Sequence, residues 1–178
     1  MRRTVYDQDH DSFRTTLRSF IEAEVLPHYE QWFQDGIVPK ELYTKLADLG
    51  LFGISVPEEY GGAGIESHKF TAIQYEEAAR AAVTFGGSGV HVLLALPYIK
   101  MLGTEEQKQR YLPAFVTGEE MWALAMTEPG TGSDLAGMRT SAKLDGDHYV
   151  LNGAKTFITG GVHADRVIVA CRTSPATE

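Results

Sequence analysis

The 178-residue sequence contains a single cysteine, Cys171, and that scarcity excludes an intrachain disulfide framework. It also lacks a long apolar run: the longest, "VLLALPYI", is far shorter than a membrane span and carries Pro97. After Met1, Arg2 and Arg3 the chain turns polar at once ("TVYDQDHDSF"), so no apolar signal-peptide core follows the basic start. Together these absences make a soluble cytoplasmic protein the expectation. No block of like charges occurs, and 16 Lys+Arg stand against 24 Asp+Glu, which argues against a nucleic-acid or anionic-membrane surface. The six histidines lack metal-ligand spacing, and neither a Ser/His/Asp nor a Cys/His set can be assembled.

What is present is enough apolar material, 43% of residues, to bury one sizeable core or two small ones. The pattern changes near residue 120. Before it, apolar residues recur at helical spacing; after it, hairpin punctuation takes over. Phe13, Leu17, Phe20, Ile21 and Val25 share one helical face that Pro27 interrupts, and a second short helix is expected from His28 to Gly36. Pro39 opens "PKELYTKLADLG", with Leu42, Leu46 and Leu49 as its stripe and Gly50 as a left-handed stop. "LFGISVPEEYGGAG" reads as an extended apolar segment ending in a loop. Helices follow over about 67–82 and 89–102, and Thr104 with Gln107 offers a capping box for another to about residue 117.

From Met121 onward, "MWALAMT" and "RVIVACR" read as strands, while Asp145-Gly146 and Asn152-Gly153 are two-residue hairpin signals. The expected fold class is α+β: an all-α domain over residues 1–120, then an antiparallel β unit over 121–178 that is incomplete and ends on an uncovered edge at "CRTSPATE".

The stretch richest in chemistry is "MTEPGTGSD", residues 126–134. Gly130-Thr131-Gly132-Ser133 offers unobstructed backbone N–H groups, and Thr127, Thr131 and Ser133 offer hydroxyls to phosphate or ring oxygens. It is neither a dinucleotide fingerprint nor a Walker loop, because the third Gly and the Gly-Lys-Ser/Thr are absent. A plain turn and a ligand cradle both remain open from the residues alone. Glu128 reads as a turn-stabilising acceptor, Glu76-Glu77 and Glu119-Glu120 as solvated faces, and Cys171 as a buried small hydrophobe. No convincing general base is found among them.

The order of motifs carries more. "VPEEYGGAG", "GTEEQKQRYLP", "AMTEPGTGSD" and "LNGAKTFITGG" follow one another at spacings that resemble the flavin-dependent acyl-CoA dehydrogenases over essentially the whole chain. That resemblance implies an N-terminal helical domain, a middle β-barrel or sandwich domain beginning at 121, and a C-terminal helical bundle absent from these residues. It implies FAD as cofactor, with Met126 and Thr127 at the pyrimidine end of the isoalloxazine and Gly132 and Ser133 near the flavin phosphates; Ser133 would also touch the substrate's pantetheine arm. Phe157-Ile158-Thr159 matches the family's Trp-Ile-Thr, so Thr159 would bond the flavin N5 region and Phe157 would wall the ring without an indole N–H.

By the same resemblance the activity is α,β-dehydrogenation of an acyl-CoA to the trans-2-enoyl-CoA, a step of fatty-acid β-oxidation. The base would be a Glu of the C-terminal domain, so no catalytic residue is expected here and the 178 residues alone are expected to be inactive. An electron-transferring flavoprotein is the implied acceptor and a homodimer or homotetramer the implied assembly. A same-fold oxidase or flavin monooxygenase, and a non-catalytic interaction fragment, are the alternatives. Residues 85–101, "FGGSGVHVLLALPYIKM", would line the acyl cavity or pack in the core.

Overall fold

The computed structural model describes residues 4–173; the basic start and the end of "CRTSPATE" lie outside the described residues. Helices precede strands, as the sequence predicts. They are α1 (Gln8–Phe20), α2 (Leu26–Asp35), α3 (Glu41–Asp48), α4 (Lys69–Arg80), α5 (Ser88–Val90), α6 (Leu96–Leu102) and α7 (Glu105–Val116), followed by β1 (Trp122–Ala125), β2 (Ser141–Asp145), β3 (His148–Asn152) and β4 (Arg166–Val169).

Two prolines do not break their helices. A π-helical turn, Ile21–Val25, joins α1 to α2, and a second, His91–Ala95, joins α5 to α6. In each, the residue before the proline donates its N–H five residues back, Leu26 to Ile21 and Leu96 to His91. A proline inside a regular helix lacks a donor and crowds the carbonyl four residues earlier; the wider turn relieves both. The interruption expected at Pro27 is therefore a bulge, and the stripe Leu17, Ile21 and Val25 runs through it fully buried.

The described residues form two compact units. The helical unit takes residues up to Gly86 together with Leu102–Glu119. Its core includes Leu42, Leu46, Phe52, Ile73, Leu112 and Phe115, each no more than 2% exposed. Burial of each such side chain contributes about 1.5–3 kcal/mol. Gly50 ends α3 with a left-handed φ of +79°, as expected. "LFGISVPEEYGGAG" differs from the extended reading: residues 51–56 coil through successive turns into a short 3₁₀ turn, Glu58–Tyr60. Gly62 makes the coil possible, since a Cβ there would lie 2.0 Å from the Val56 carbonyl oxygen.

Glu77 is also unlike its sequence reading. It is 2% exposed, and its carboxylate accepts from Arg14 Nη1 at 2.9 Å, Arg18 Nε at 2.8 Å and Nη2 at 3.0 Å, and Arg80 Nε at 3.0 Å. These bonds tie α1 to α4. With Arg18's bonds the largest influence, its pKa falls to about 2.

The strand unit takes Gly87–Met101 together with the residues from Glu120 onward. Segment 87–101 thus packs with the strands: the π turn His91–Ala95 lies against β1, and Ala95, Leu96 and Ile99 are buried. β2 and β3 form the hairpin that Asp145-Gly146 signals, with Gly146 at φ +64° on the loop. The other pairing is not antiparallel. β1 runs parallel to β4, in register Trp122 to Arg166 through Ala125 to Val169. Asn152-Gly153 is not a hairpin turn either. Gly153 lets the chain cross Thr140, whose Oγ1 a Cβ would meet at 2.3 Å, and the backbone that follows leads back beside β1's exit instead of reversing. Beyond β4, Arg172 pairs in parallel with Ser141, linking both strand pairs.

Candidate functional site

The two segments singled out by sequence meet on the strand unit. β1 ends at Ala125 because the chain turns through Glu128-Pro129-Gly130-Thr131, where Glu128 and Thr131 exchange backbone hydrogen bonds at 2.9 and 3.1 Å. Met126 and Thr127 lie between strand and turn, half-buried. The backbone of Thr127 accepts from Thr156 N–H at 3.0 Å, and Met126 O accepts from Lys155 Nζ at 2.7 Å. Residues 126–127 and 155–156 are therefore laced side by side.

Beneath them sits Glu128, 7% exposed. Its carboxylate accepts from Arg139 N–H at 2.7 Å, Thr140 N–H at 2.9 Å and Lys155 Nζ at 2.9 Å. Hydrogen bonding from Thr140, then from the Arg139 N–H and Lys155, holds its pKa down at about 2. The sequence reading of Glu128 as a turn acceptor is correct in kind, but its donors lie 11 to 27 residues away. Asp134 accepts from Gly137 N–H, and the Thr131 hydroxyl donates to Gly137 O at 3.3 Å, which closes the far side of the loop.

The upper face is open. Gly130 and Gly132 have nothing within 4 Å of where a Cβ would stand, and Gly132 and Ser133 are exposed. Phe157 is 91% exposed and holds φ +56°, a left-handed backbone that costs a bulky side chain about 1–2 kcal/mol. Ile158 is half-buried and Thr159 exposed. Gly160, at φ +74°, passes 3.3 Å from Gly87 Cα, measured from its would-be Cβ, and so anchors the end of the segment. The two bonded segments thus carry an exposed aromatic ring, exposed hydroxyls and unobstructed backbone, groups that suit a planar ring bearing an anionic tail.

Elsewhere the sequence reading missed partners. Trp122 N–H donates to Nδ1 of buried His91 at 3.0 Å, and Glu120 forms a two-bond pair with Arg166 at 2.9 and 2.7 Å, so it is not a solvated carboxylate. Arg166 holds the Glu120 pKa below the usual carboxylate range. Cys171 is half-buried, just beyond β4, rather than fully enclosed. Among the described residues no group of three or more His, Cys, Asp or Glu could hold a metal ion, and no helix is long and apolar enough to cross a membrane.

Comparison with known proteins fits this geometry. Residues 7–119 match the model of the acyl-CoA dehydrogenase N-terminal domain, and residues 123–178 that of the acyl-CoA dehydrogenase middle domain. The long-chain specific acyl-CoA dehydrogenase of Sus scrofa, a mitochondrial protein, is 42% identical over 97% of this chain and 40% of its own. The crystal structure of an acyl-CoA dehydrogenase from Geobacillus kaustophilus superposes with a TM-score of 0.93 at 43% identity, covering 99% of this chain and 46% of that one. The acyl-CoA dehydrogenase from Bacillus anthracis, crystallised with FAD, gives 0.85 at 39% identity over 97% of this chain and 31% of its own. The chain thus spans less than half the length of these relatives. It belongs to the acyl-CoA dehydrogenase family.

Proposed function

We propose that this chain is the flavin-cradling portion of an FAD-dependent acyl-CoA dehydrogenase, acting with a C-terminal domain that supplies the base. The observation that carries this reading is the bonding of Met126-Thr127 to Lys155-Thr156, which ties the segment bearing exposed Gly132 and Ser133 to the segment bearing exposed Phe157 and Thr159, with a buried carboxylate and amine at the junction. The Bacillus anthracis relative, crystallised with FAD, supports FAD as the occupant.

In this reading Met126 and Thr127 hold the pyrimidine edge through backbone and hydroxyl. Gly132 and Ser133 receive phosphate and pantetheine oxygens, for which bare N–H groups and a hydroxyl are the fitting donors. Phe157 walls the ring, Ile158 supports it and Thr159 faces N5. FAD, when bound, supplies the acceptor for the substrate's β-hydride. The chain's own residues orient the two partners and keep water from their contact. Removal of the α-proton falls to the Glu of the C-terminal domain, and the product is the trans-2-enoyl-CoA.

An electron-transferring flavoprotein as acceptor, a homodimer or homotetramer as assembly, a β-oxidation role and a cytoplasmic location complete the proposal. The scarcity of cysteine fits a reducing compartment. Anaerobic addition of an acyl-CoA to the complete polypeptide, as its cells make it, is the test: bleaching of the flavin's visible absorption with release of enoyl-CoA is expected. A flavin-free polypeptide, or one whose flavin is inert to acyl-CoA, would refute the reading.

A further inference from the structure

Lys155 is the least expected member of the site. Its side chain is 10% exposed, and its Nζ donates to Met126 O at 2.7 Å and Glu128 Oε1 at 2.9 Å, with Met138 Sδ at 3.6 Å. The amine reaches from one segment to the other, two residues before the left-handed Phe157.

We propose that Lys155 and Glu128 form a positioning pair that sets the register of Phe157-Ile158-Thr159 against Met126-Thr127. The inference rests on the flavin reading of the same surface. Three features of the structure support it. Thr156 N–H to Thr127 O is a single backbone bond between the segments, too little to fix a strained residue beside it. Lys155 adds a second tie one residue away, to the carbonyl of Met126. Glu128, held by two backbone N–H groups of 139–140, anchors that amine to the start of β2. The pair thereby connects three pieces of chain that are distant in sequence.

The strut explains how an exposed aromatic keeps a costly backbone. With no ring packing to hold Phe157, its φ is imposed from its neighbours, Lys155 and Thr156 on one side and Gly160 on the other. Loss of the amine would let Phe157 relax to an extended φ and swing its ring off the open face.

The test uses the complete polypeptide with its flavin. Lys155→Met keeps the length and removes the donors. The dissociation constant for FAD is expected to rise about tenfold, and the visible circular dichroism of the flavin that remains bound should change. Glu128→Gln, equal in size, should do the same, and the double variant should lose no more than the larger single loss, because the residues act as one. A role in stability alone would lower the melting temperature but leave the spectrum of bound flavin untouched. Wild-type affinity together with an unchanged flavin spectrum in Lys155→Met would overturn the inference; if that variant does not fold, Glu128→Gln decides on the same readings. An unsubstituted protein that binds no flavin would instead overturn the functional reading, and this inference with it.

Discussion

Each unit contains a buried carboxylate with its pKa near 2 and one non-glycine residue in left-handed backbone, yet the two units use these features in opposite ways. In the helical unit, Glu77 gathers Arg14, Arg18 and Arg80 and holds α1 on α4. Ala82, at φ +54°, closes α4 by a Schellman pattern, with Ala82 N–H to Ala79 O and Val83 N–H to Ala78 O. Both serve the fold. In the strand unit, Glu128 is satisfied mainly by backbone N–H groups and one lysine, and Phe157 caps no element while leaving its ring in the open. In the proposed reading the same devices, turned outward, serve a ligand instead of the fold.

The sharpest way to break this comparison is to remove each carboxylate. Glu77→Ala leaves three guanidinium groups around a vacated acceptor and should cost about 3–5 kcal/mol of stability, read by urea denaturation, with flavin per folded chain unchanged. A cost below about 1 kcal/mol would place Glu77 with ordinary surface pairs. Acid gives the same contrast without mutation. The folded Glu77 titrates near 2 against an ordinary 4.5, so the unfolded chain takes up its proton first as the pH falls. The stabilisation is complete above about 4.5 and is lost toward 2; Glu77→Gln should flatten that part of the stability–pH curve.

Glycines sharpen it next. Gly153→Ala drives a Cβ onto Thr140 and should cost about 1–3 kcal/mol, seen as a lower denaturation midpoint. Gly132→Ala meets nothing and should change stability by no more than about 0.5 kcal/mol, while weakening FAD binding, because only a ligand would meet that Cβ. Unchanged flavin affinity would remove Gly132 from the cradle.

The smallest effects concern the two left-handed residues. Ala82→Gly should raise stability by about 0.5–1 kcal/mol, since only the backbone conformation matters at a helix cap. Phe157→Asn should likewise leave stability level or slightly higher, as its ring packs on nothing, yet lower flavin affinity. A clear loss of stability would mean that Phe157 is a packing residue after all.

Short-range chemistry was readable in the sequence. The Thr104–Gln107 box is present, with Gln107 N–H to Thr104 Oγ1 at 3.2 Å and Thr104 N–H to Gln107 Oε1 at 2.8 Å; so are Gly50's stop and the 145–146 reversal. Each depends on residues within a few positions. What escaped depends on distance. The donors to Glu77 on α1 lie 59 and 63 positions away, the parallel partner of β1 is 44 away, and Lys155 is 27 from the Glu128 it serves. Pro27 misled for a different reason: the π turn that absorbs it is a backbone adjustment with no side-chain signature. For the site, the motif order pointed to two segments that hydrogen-bond to each other through Thr127 and Thr156, but Phe157's left-handed backbone leaves no mark in "KTFITGG".

The central claim is that residues 126–133 and 157–159 together form the flavin cradle. Amide hydrogen exchange on the complete polypeptide, flavin-loaded against flavin-stripped, tests it most directly. The account predicts slowed exchange at Thr127, at 130–133 and at 157–160, with α1 and α4 unchanged. Equal exchange at those amides in the two forms, while flavin remains bound, would contradict it.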